Sequence, residues 1–391
     1  MHIKLKNWMM PLLFILFVPL SWAASAVGSV YRWIVILLFG FSMIKNKAKI
    51  KVEKMSQPIL LAMSALVAFS MLSTIWSKSV SDGIKNSLTF FMMFLVALVF
   101  VSDNYGEETI SRKLDICWII VGITSACLFI FGDRAQVGIY GSRTTLQILG
   151  TRTDPNEFAG LFAIPIAVNV YSLFHSTGKK KTINMLAMLI EIYAVILSGS
   201  RGAMVSCMIS IFLSIIISVK MNFKNILTIV VAAAVLIFVF VWILLPLVPG
   251  DVIERMSIQV LVADGGGGRK TIWTSALDQY LNGNVFRILF GYGANGLIAQ
   301  GERGETGAMH NYYLQILTNY GLIGIALYLN LLWKSICKFW RCNRKYAAGL
   351  IAMAALSFTL TTSPNYKPLW ILMMMAMIPE KNLLEMEEEL R

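Results

Sequence analysis

The chain has 391 residues, of which 57% are hydrophobic and 14% charged, with a mean hydropathy of +0.69. Soluble domains carry about 25% charged residues, so this composition excludes a water-soluble globule and indicates a polytopic membrane protein. The formal net charge is +13; its cations sit in short loops between apolar runs, as membrane orientation requires, and no nucleic-acid partner is expected.

Crossing ~30 Å of hydrocarbon takes roughly 17–25 apolar residues, and shorter runs are accommodated by local thinning. Twelve runs are predicted as spans, near Trp8–Ala23, Tyr31–Ile44, Gln57–Leu72, Leu88–Val101, Ile116–Phe131, Phe158–Phe174, Ile183–Leu197, Ala203–Val219, Ile226–Val248, Tyr313–Trp333, Ala347–Thr361 and Leu369–Ile378. The predicted fold is therefore an all-α polytopic membrane protein. Residues 1–248 would hold helices 1–9, with an arginine-rich external loop at 132–156. Residues 249–309 would form a large external loop containing an amphipathic helix, 310–379 helices 10–12, and 380–391 a cytoplasmic tail.

An even number of spans puts both termini on one side. The lysine-rich loops, such as Lys45–Lys54, Lys179–Lys181 and Lys334–Lys345, lie on that side and make it cytoplasmic. Arginine partitions differently. Arg32, Arg134, Arg143, Arg152, Arg201, Arg255, Arg269, Arg287 and Arg303 all fall outside. That distribution opposes the positive-inside bias, so either a ligand or external acids such as Asp133, Asp154 and Glu302 retain it. The guanidinium fork suits bidentate phosphate or carboxylate binding.

The N-terminus imitates a secretory signal, with Lys4 and Lys6, an apolar core and Ala23-Ala24-Ser25-Ala26; it is read as a retained first helix. Cys117, Cys127, Cys207, Cys337 and Cys342 fall in spans or on the cytoplasmic side, which leaves no external disulfide or zinc set. Trp76-Ser77 forms an external turn with an interfacial tryptophan. The loop at 132–156 carries Arg134, Arg143 and Arg152, then Asp154-Pro155-Asn156-Glu157, a turn that feeds a helix capped by Asp154 or Asn156. Ser198-Gly199-Ser200-Arg201-Gly202 is a tight hairpin that holds Arg201 at the membrane boundary, either as a functional cation or as a snorkelling anchor. Glu191, near the middle of the seventh span, is protonated or bonded to a neighbouring helix.

The longest polar interruption runs from Gly265 to Gly324. Ile272, Trp273, Ala276, Leu277 and Tyr280 share one face of a predicted helix over Thr271–Leu281, which lies on the membrane or on the bundle. Arg269 sits at its N-terminus, where backbone N–H groups favour an anion. Gly291-Tyr292-Gly293-Ala294-Asn295-Gly296 has the dinucleotide spelling, but no strand-helix-strand unit surrounds it. Gly268-Arg269-Lys270-Thr271 lacks the glycine that a P-loop places before its lysine. His310 closes the loop; histidine is the side chain best matched to taking a proton near neutral pH, although a lone histidine also serves in capping or packing.

Ser200-Arg201-Gly202-Ala203, Gly268-Arg269-x-x-Ile272-Trp273 and His310-Asn311-x-Tyr313-Leu314-Gln315 followed by Gly-x-x-Gly occur in that order, with Asp154-Pro155-Asn156-Glu157-Phe158-Ala159 before them. In this the chain resembles the O-antigen ligase and Wzy polymerase superfamily. The resemblance implies a GT-C-like, metal-independent, inverting membrane glycosyltransferase of polysaccharide biosynthesis, with no cofactor. Its partners would be a glycan donor on undecaprenyl diphosphate, an acceptor glycan, membrane lipids and a chain-length regulator. Carried over by motif, Arg201 and Arg269 would bind the diphosphate and His310 would act as general base. Arg134, Arg143, Arg152, Asn156, Asn311 and Tyr313 would be further substrate contacts. The site would face the exterior of the bacterial inner membrane. A polymerase joining lipid-linked repeat units is favoured over a ligase acting on lipid A core, because the external arginines exceed what one diphosphate needs. A flippase for an anionic lipid, with Glu191 on its pathway, is the non-enzymatic alternative.

Overall fold

Only internal hydrogen bonding satisfies a backbone in lipid, and the apolar runs accordingly fold as helices. The computed structural model describes residues 9–25, 28–47, 49–102, 110–137, 143–148, 151–219, 250–255, 269–294, 296–297, 299–300, 306–307, 309–360 and 366–384, with 246, 248 and 259. In chain order come α1 (Met9–Leu16), β1 (Ala24–Ser25), β2 (Gly28–Ser29), α2 (Val30–Lys45), α3 (Gln57–Ser73), α4 (Val80–Val101) and α5 (Ser111–Phe131). They are followed by β3 (Arg134–Val137), β4 (Arg143–Ile148), β5 (Thr151–Arg152), α6 (Pro155–Gly160), α7 (Ala163–His175), α8 (Gly178–Leu197), α9 (Arg201–Ser218) and α10 (Gly250–Arg255). The rest comprises α11 (Arg269–Leu281), α12 (Val285–Phe290), β6 (Ala299–Gln300), β7 (Thr306–Gly307), α13 (Tyr312–Cys342), α14 (Arg344–Leu356), α15 (Lys367–Met375) and α16 (Glu380–Leu383).

Among the described residues, six stretches are long and apolar enough to cross a membrane: Gln57–Trp76, Val80–Val101, Ser111–Phe131, Pro155–His175, Arg201–Ser218 and Tyr312–Cys342. Each coincides with an expected span. Other expected spans are shorter as helices. The nine residues of α15 rise about 14 Å and the thirteen of α14 about 20 Å, against ~30 Å of hydrocarbon. Trp370–Ile378 is buried throughout, so this apolar run packs in a protein core rather than facing lipid. In α8 the apolar stretch begins only after Lys179–Lys181. Most of the expected span Ile226–Val248 lies outside the described residues, as do the glycine run 265–268 and Arg303.

The chain folds as two compact units. One contains Met1–Cys117, Gly265–Asn343 and Ser357–Glu387; the other contains Trp118–Asp264, Arg344–Leu356 and Glu388–Arg391. In the first, α13 packs on α3, α11 and α12, and α4 packs on α2, α3 and α15. At one end of α13, the buried Lys338 ammonium donates to Ser56 Oγ at 2.7 Å and to the Ile378 carbonyl at 2.9 Å, with Glu53 at 3.8 Å. The sequence reading placed Lys338 in a cytoplasmic loop; these acceptors allow it to be buried instead. In the second unit, α9 packs on α7 and α14. Serines bind the three helices together: Ser210 and Ser214 donate to the carbonyls of Ala163 and Ala167, and Ser206 to that of Ala352. Such bonds hold helices where the hydrophobic effect offers no drive between them.

Candidate functional site

In the first unit, α11 begins on Arg269, two residues before the expected start at Thr271, and packs on the protein. Ala276 and Tyr280 are buried in a cluster with Leu297, Met309 and Leu314, and Ile272 and Trp273 pack against it. The Trp273 indole N–H donates to the Met309 carbonyl at 2.8 Å. This bond joins α11, one turn after Arg269, to the residue that precedes His310. Burial pushes the Tyr280 hydroxyl above its ordinary range, with Tyr292 adding to the shift, and it remains a donor to the Ile288 carbonyl.

His310 has φ +48°, in the left-handed region, and with Lys47 is one of two non-glycine residues there among the described ones. That conformation costs about 1 kcal/mol for a residue with a Cβ. Asn311 follows in extended conformation and caps α13, its side-chain oxygen accepting from the Leu314 N–H at 3.1 Å. The Tyr312 N–H donates to the Ser357 carbonyl. The Tyr313 ring lies tilted against Phe358, with centroids 4.5 Å apart, and edge-on to Tyr328 at 6.0 Å. Asn311 and Tyr313, expected as substrate contacts, therefore have structural work that fixes how α13 starts and where His310 stands.

The dinucleotide-like glycines have a different use. Helix α13 is broken at Gly321 (φ +67°, ψ −167°), and the carbonyls it frees accept from the strap that follows α12. The Tyr292 N–H donates to Thr318 and the Gly293 N–H to Asn319, each at 2.9 Å. A Cβ on Gly291 would lie 2.4 Å from the Asn319 carbonyl, and one on Gly321 would lie 2.3 Å from that of Leu289. Two backbones approach at a distance only glycine permits. Arg287, expected among the externally retained arginines, donates to the Trp76 carbonyl at 3.1 Å and lies over the Tyr292 ring. The structure thus gives this arginine a packing reason to be where it is.

Arg201, Asn156 and the 132–156 loop belong to the second unit. Helices α8 and α9 are joined by Ser198–Ser200, with Gly199 at φ +64° ending α8. Ser200 caps α9, accepting from the Ala203 N–H, and donates its own hydroxyl to Asn156 Oδ1 at 2.8 Å. Asp154 caps α6, accepting from the N–H groups of Asn156 and Glu157 at 2.8 and 3.1 Å. Of the two capping candidates, Asp154 takes that role; Asn156 is buried and braces the turn on which Arg201 stands, a link that sequence alone did not suggest.

The expected loop is a three-stranded antiparallel ribbon, in the order β3-β4-β5. Arg134 pairs with Leu146, Arg143 with Val137 and Arg152 with Gln147. The ribbon is fixed at its end by Thr145, which bonds to Thr153. Glu191 is fully buried, and the Asn169 amide donates to both its oxygens, at 3.1 and 2.9 Å. A Cβ on Gly122 would meet its carboxyl, so the carboxylate fills space that this glycine leaves open. Asn169 is its partner, nearly two turns of α7 before the helix ends at His175.

Comparison with known proteins adds a family. No curated protein matches the sequence. Among solved structures, a chain of a peptidoglycan synthase complex, reported under "Structural coordination of polymerization and crosslinking by a peptidoglycan synthase complex", is similar at 14% identity and a TM-score of 0.45, covering 82% of this chain and 96% of that one. A family model described as O-antigen ligase matches residues 186–329, a segment that includes Arg201, Arg269 and His310. That match agrees, over residues 186–329, with the resemblance to the O-antigen ligase and Wzy superfamily.

Proposed function

We propose that the protein polymerises lipid-linked oligosaccharide repeat units at the outer face of the bacterial inner membrane, with undecaprenyl diphosphate as the leaving group. His310 takes the proton from an acceptor hydroxyl as that oxygen attacks the anomeric carbon. The bond from this carbon to the diphosphate oxygen breaks, with inversion. Arg201 and Arg269 offset the charge that develops on the diphosphate, without metal, as fixed guanidinium donors do in a water-poor site. The observation that carries this reading is the setting of His310: a left-handed backbone, an Asn311 cap directly after it and the Trp273–Met309 bond directly before it. Uncommon backbone held in place by several anchors is where functional groups concentrate.

A positioned base contributes roughly 10²–10⁴-fold, so His310→Ala should lose about that much transfer. The test is elongation of a purified lipid-linked repeat unit by the full-length protein in detergent, with chelator and without ATP. Full activity of His310→Ala, or normal donor binding by Arg201→Ala and Arg269→Ala, refutes the assignments.

A second reading, transfer of finished glycan to lipid A core, is favoured by the description of the matching family model. Deleting the gene separates the two. Single-repeat surface glycan follows from a lost polymerase, whereas full-length glycan retained on its lipid carrier follows from a lost ligase.

A further inference from the structure

We propose that α12 is a re-entrant membrane anchor, seated among the acyl chains of the leaflet that holds the Trp76 end of α3. Within the first unit, Phe286 packs edge-on to Trp76 at 5.6 Å, and Phe290 contacts both Trp76 at 6.0 Å and Phe69 at 6.3 Å. Phe69 lies seven residues before Trp76 on a membrane-spanning stretch, its ring 6.2 Å from the indole on the side away from the end of the stretch. Tryptophan favours the interface, so a helix whose far end reaches Phe69 extends from the headgroup level into hydrocarbon.

The outer side of α12 is apolar and uncovered. Val285 is 71% exposed, with Phe286 and Leu289 exposed on the same short helix, and Leu72 and Ile75, the latter 80% exposed, are uncovered in the last turns of the spanning stretch that ends at Trp76. That end of a spanning helix already faces lipid, so the same medium extends over α12. Water would leave this strip of large side chains as an aggregation site.

The polar groups of the segment are arranged as a water-poor setting demands. The Asn284 side chain caps α12, accepting from the Arg287 N–H. The Arg287 guanidinium donates to the Trp76 and Gly291 carbonyls rather than reaching for solvent. Past the turn, the Tyr292 and Gly293 N–H groups donate to the carbonyls freed by the break in α13. Non-helical backbone at membrane depth is tolerated where protein satisfies it in this way. The break at Gly321 thus supplies acceptors for the returning strap.

The test is a nitroxide label at Val285→Cys in the full chain, its five native cysteines replaced by alanine, reconstituted in phosphatidylethanolamine and phosphatidylglycerol vesicles. Collision with oxygen, which concentrates in acyl chains, is compared with collision with a water-soluble nickel chelate; Lys270→Cys, exposed on α11, is the aqueous reference. The oxygen-to-nickel ratio should be several-fold higher at 285 than at 270. An equal or lower ratio places α12 in water and overturns the proposal. Exclusion of both reagents also overturns it, because another protein surface then covers the patch. Leu289→Cys gives the same readout should Val285→Cys fail to reconstitute.

Discussion

Replacing Gly321 with alanine tests the broken-helix arrangement most directly. At φ +67° and ψ −167° the residue occupies a region open almost only to glycine, and forcing a Cβ there costs on the order of 1–3 kcal/mol. The same Cβ would sit 2.3 Å from the Leu289 carbonyl and 2.6 Å from the Gly291 nitrogen, both backbone atoms that no rotamer change can move aside. Overpacking of this kind adds about 1–3 kcal/mol. Even a total of about 2 kcal/mol reduces the folded-to-unfolded ratio roughly 30-fold, a large share of a stability of about 5–15 kcal/mol. Gly40→Ala is the matched control. Gly40 lies in α2, and a Cβ there meets nothing within 4 Å, so alanine should be neutral or stabilise by about 0.5–1 kcal/mol. The assay is thermal unfolding in detergent, followed by loss of the monodisperse size-exclusion peak. Equal midpoints for Gly321→Ala and Gly40→Ala would refute the account of the strap and the break together.

Three further outcomes are expected. A double-mutant cycle on Asn156→Ala and Ser200→Ala should give a coupling of about 0.5–1.5 kcal/mol in thermal or denaturant unfolding, the contribution of one buried hydrogen bond; zero coupling would remove Asn156 as the brace of the Arg201 hairpin. His310→Gly should be more stable than His310→Ala by about 1 kcal/mol, since both lack the imidazole and only alanine has a Cβ to strain at φ +48°; reversed stabilities would contradict the left-handed backbone. Lys338→Ala should cost about 3–5 kcal/mol by leaving Ser56, the Ile378 carbonyl and Glu53 without their shared cation, and Lys338→Met should cost less by restoring the buried stem; equal costs would mean the ion pair, not packing, dominates.

The sequence by itself determined that the chain is a helical membrane protein, because an apolar backbone has few other ways to satisfy its amides in lipid. Periodicity alone located α11 and its buried face, and capping chemistry narrowed the start of α6 to Asp154 or Asn156, between which the structure chose Asp154. Local pattern could not separate a span from a buried core helix. Leu369–Ile378 has the composition of a span, but its burial depends on neighbours that only the fold supplies. Nor could spelling reveal what Gly291 and Gly293 do, since the carbonyls that require them belong to residues 318 and 319 and are freed only where α13 breaks. Arg287 carries the same lesson. As one of several external arginines it is expected to be held by a ligand or by an external acid, and the tertiary structure turns it instead toward the carbonyl of Trp76, 211 residues earlier, because a guanidinium at a crowded interface is stabilised by whatever acceptor the fold brings within reach.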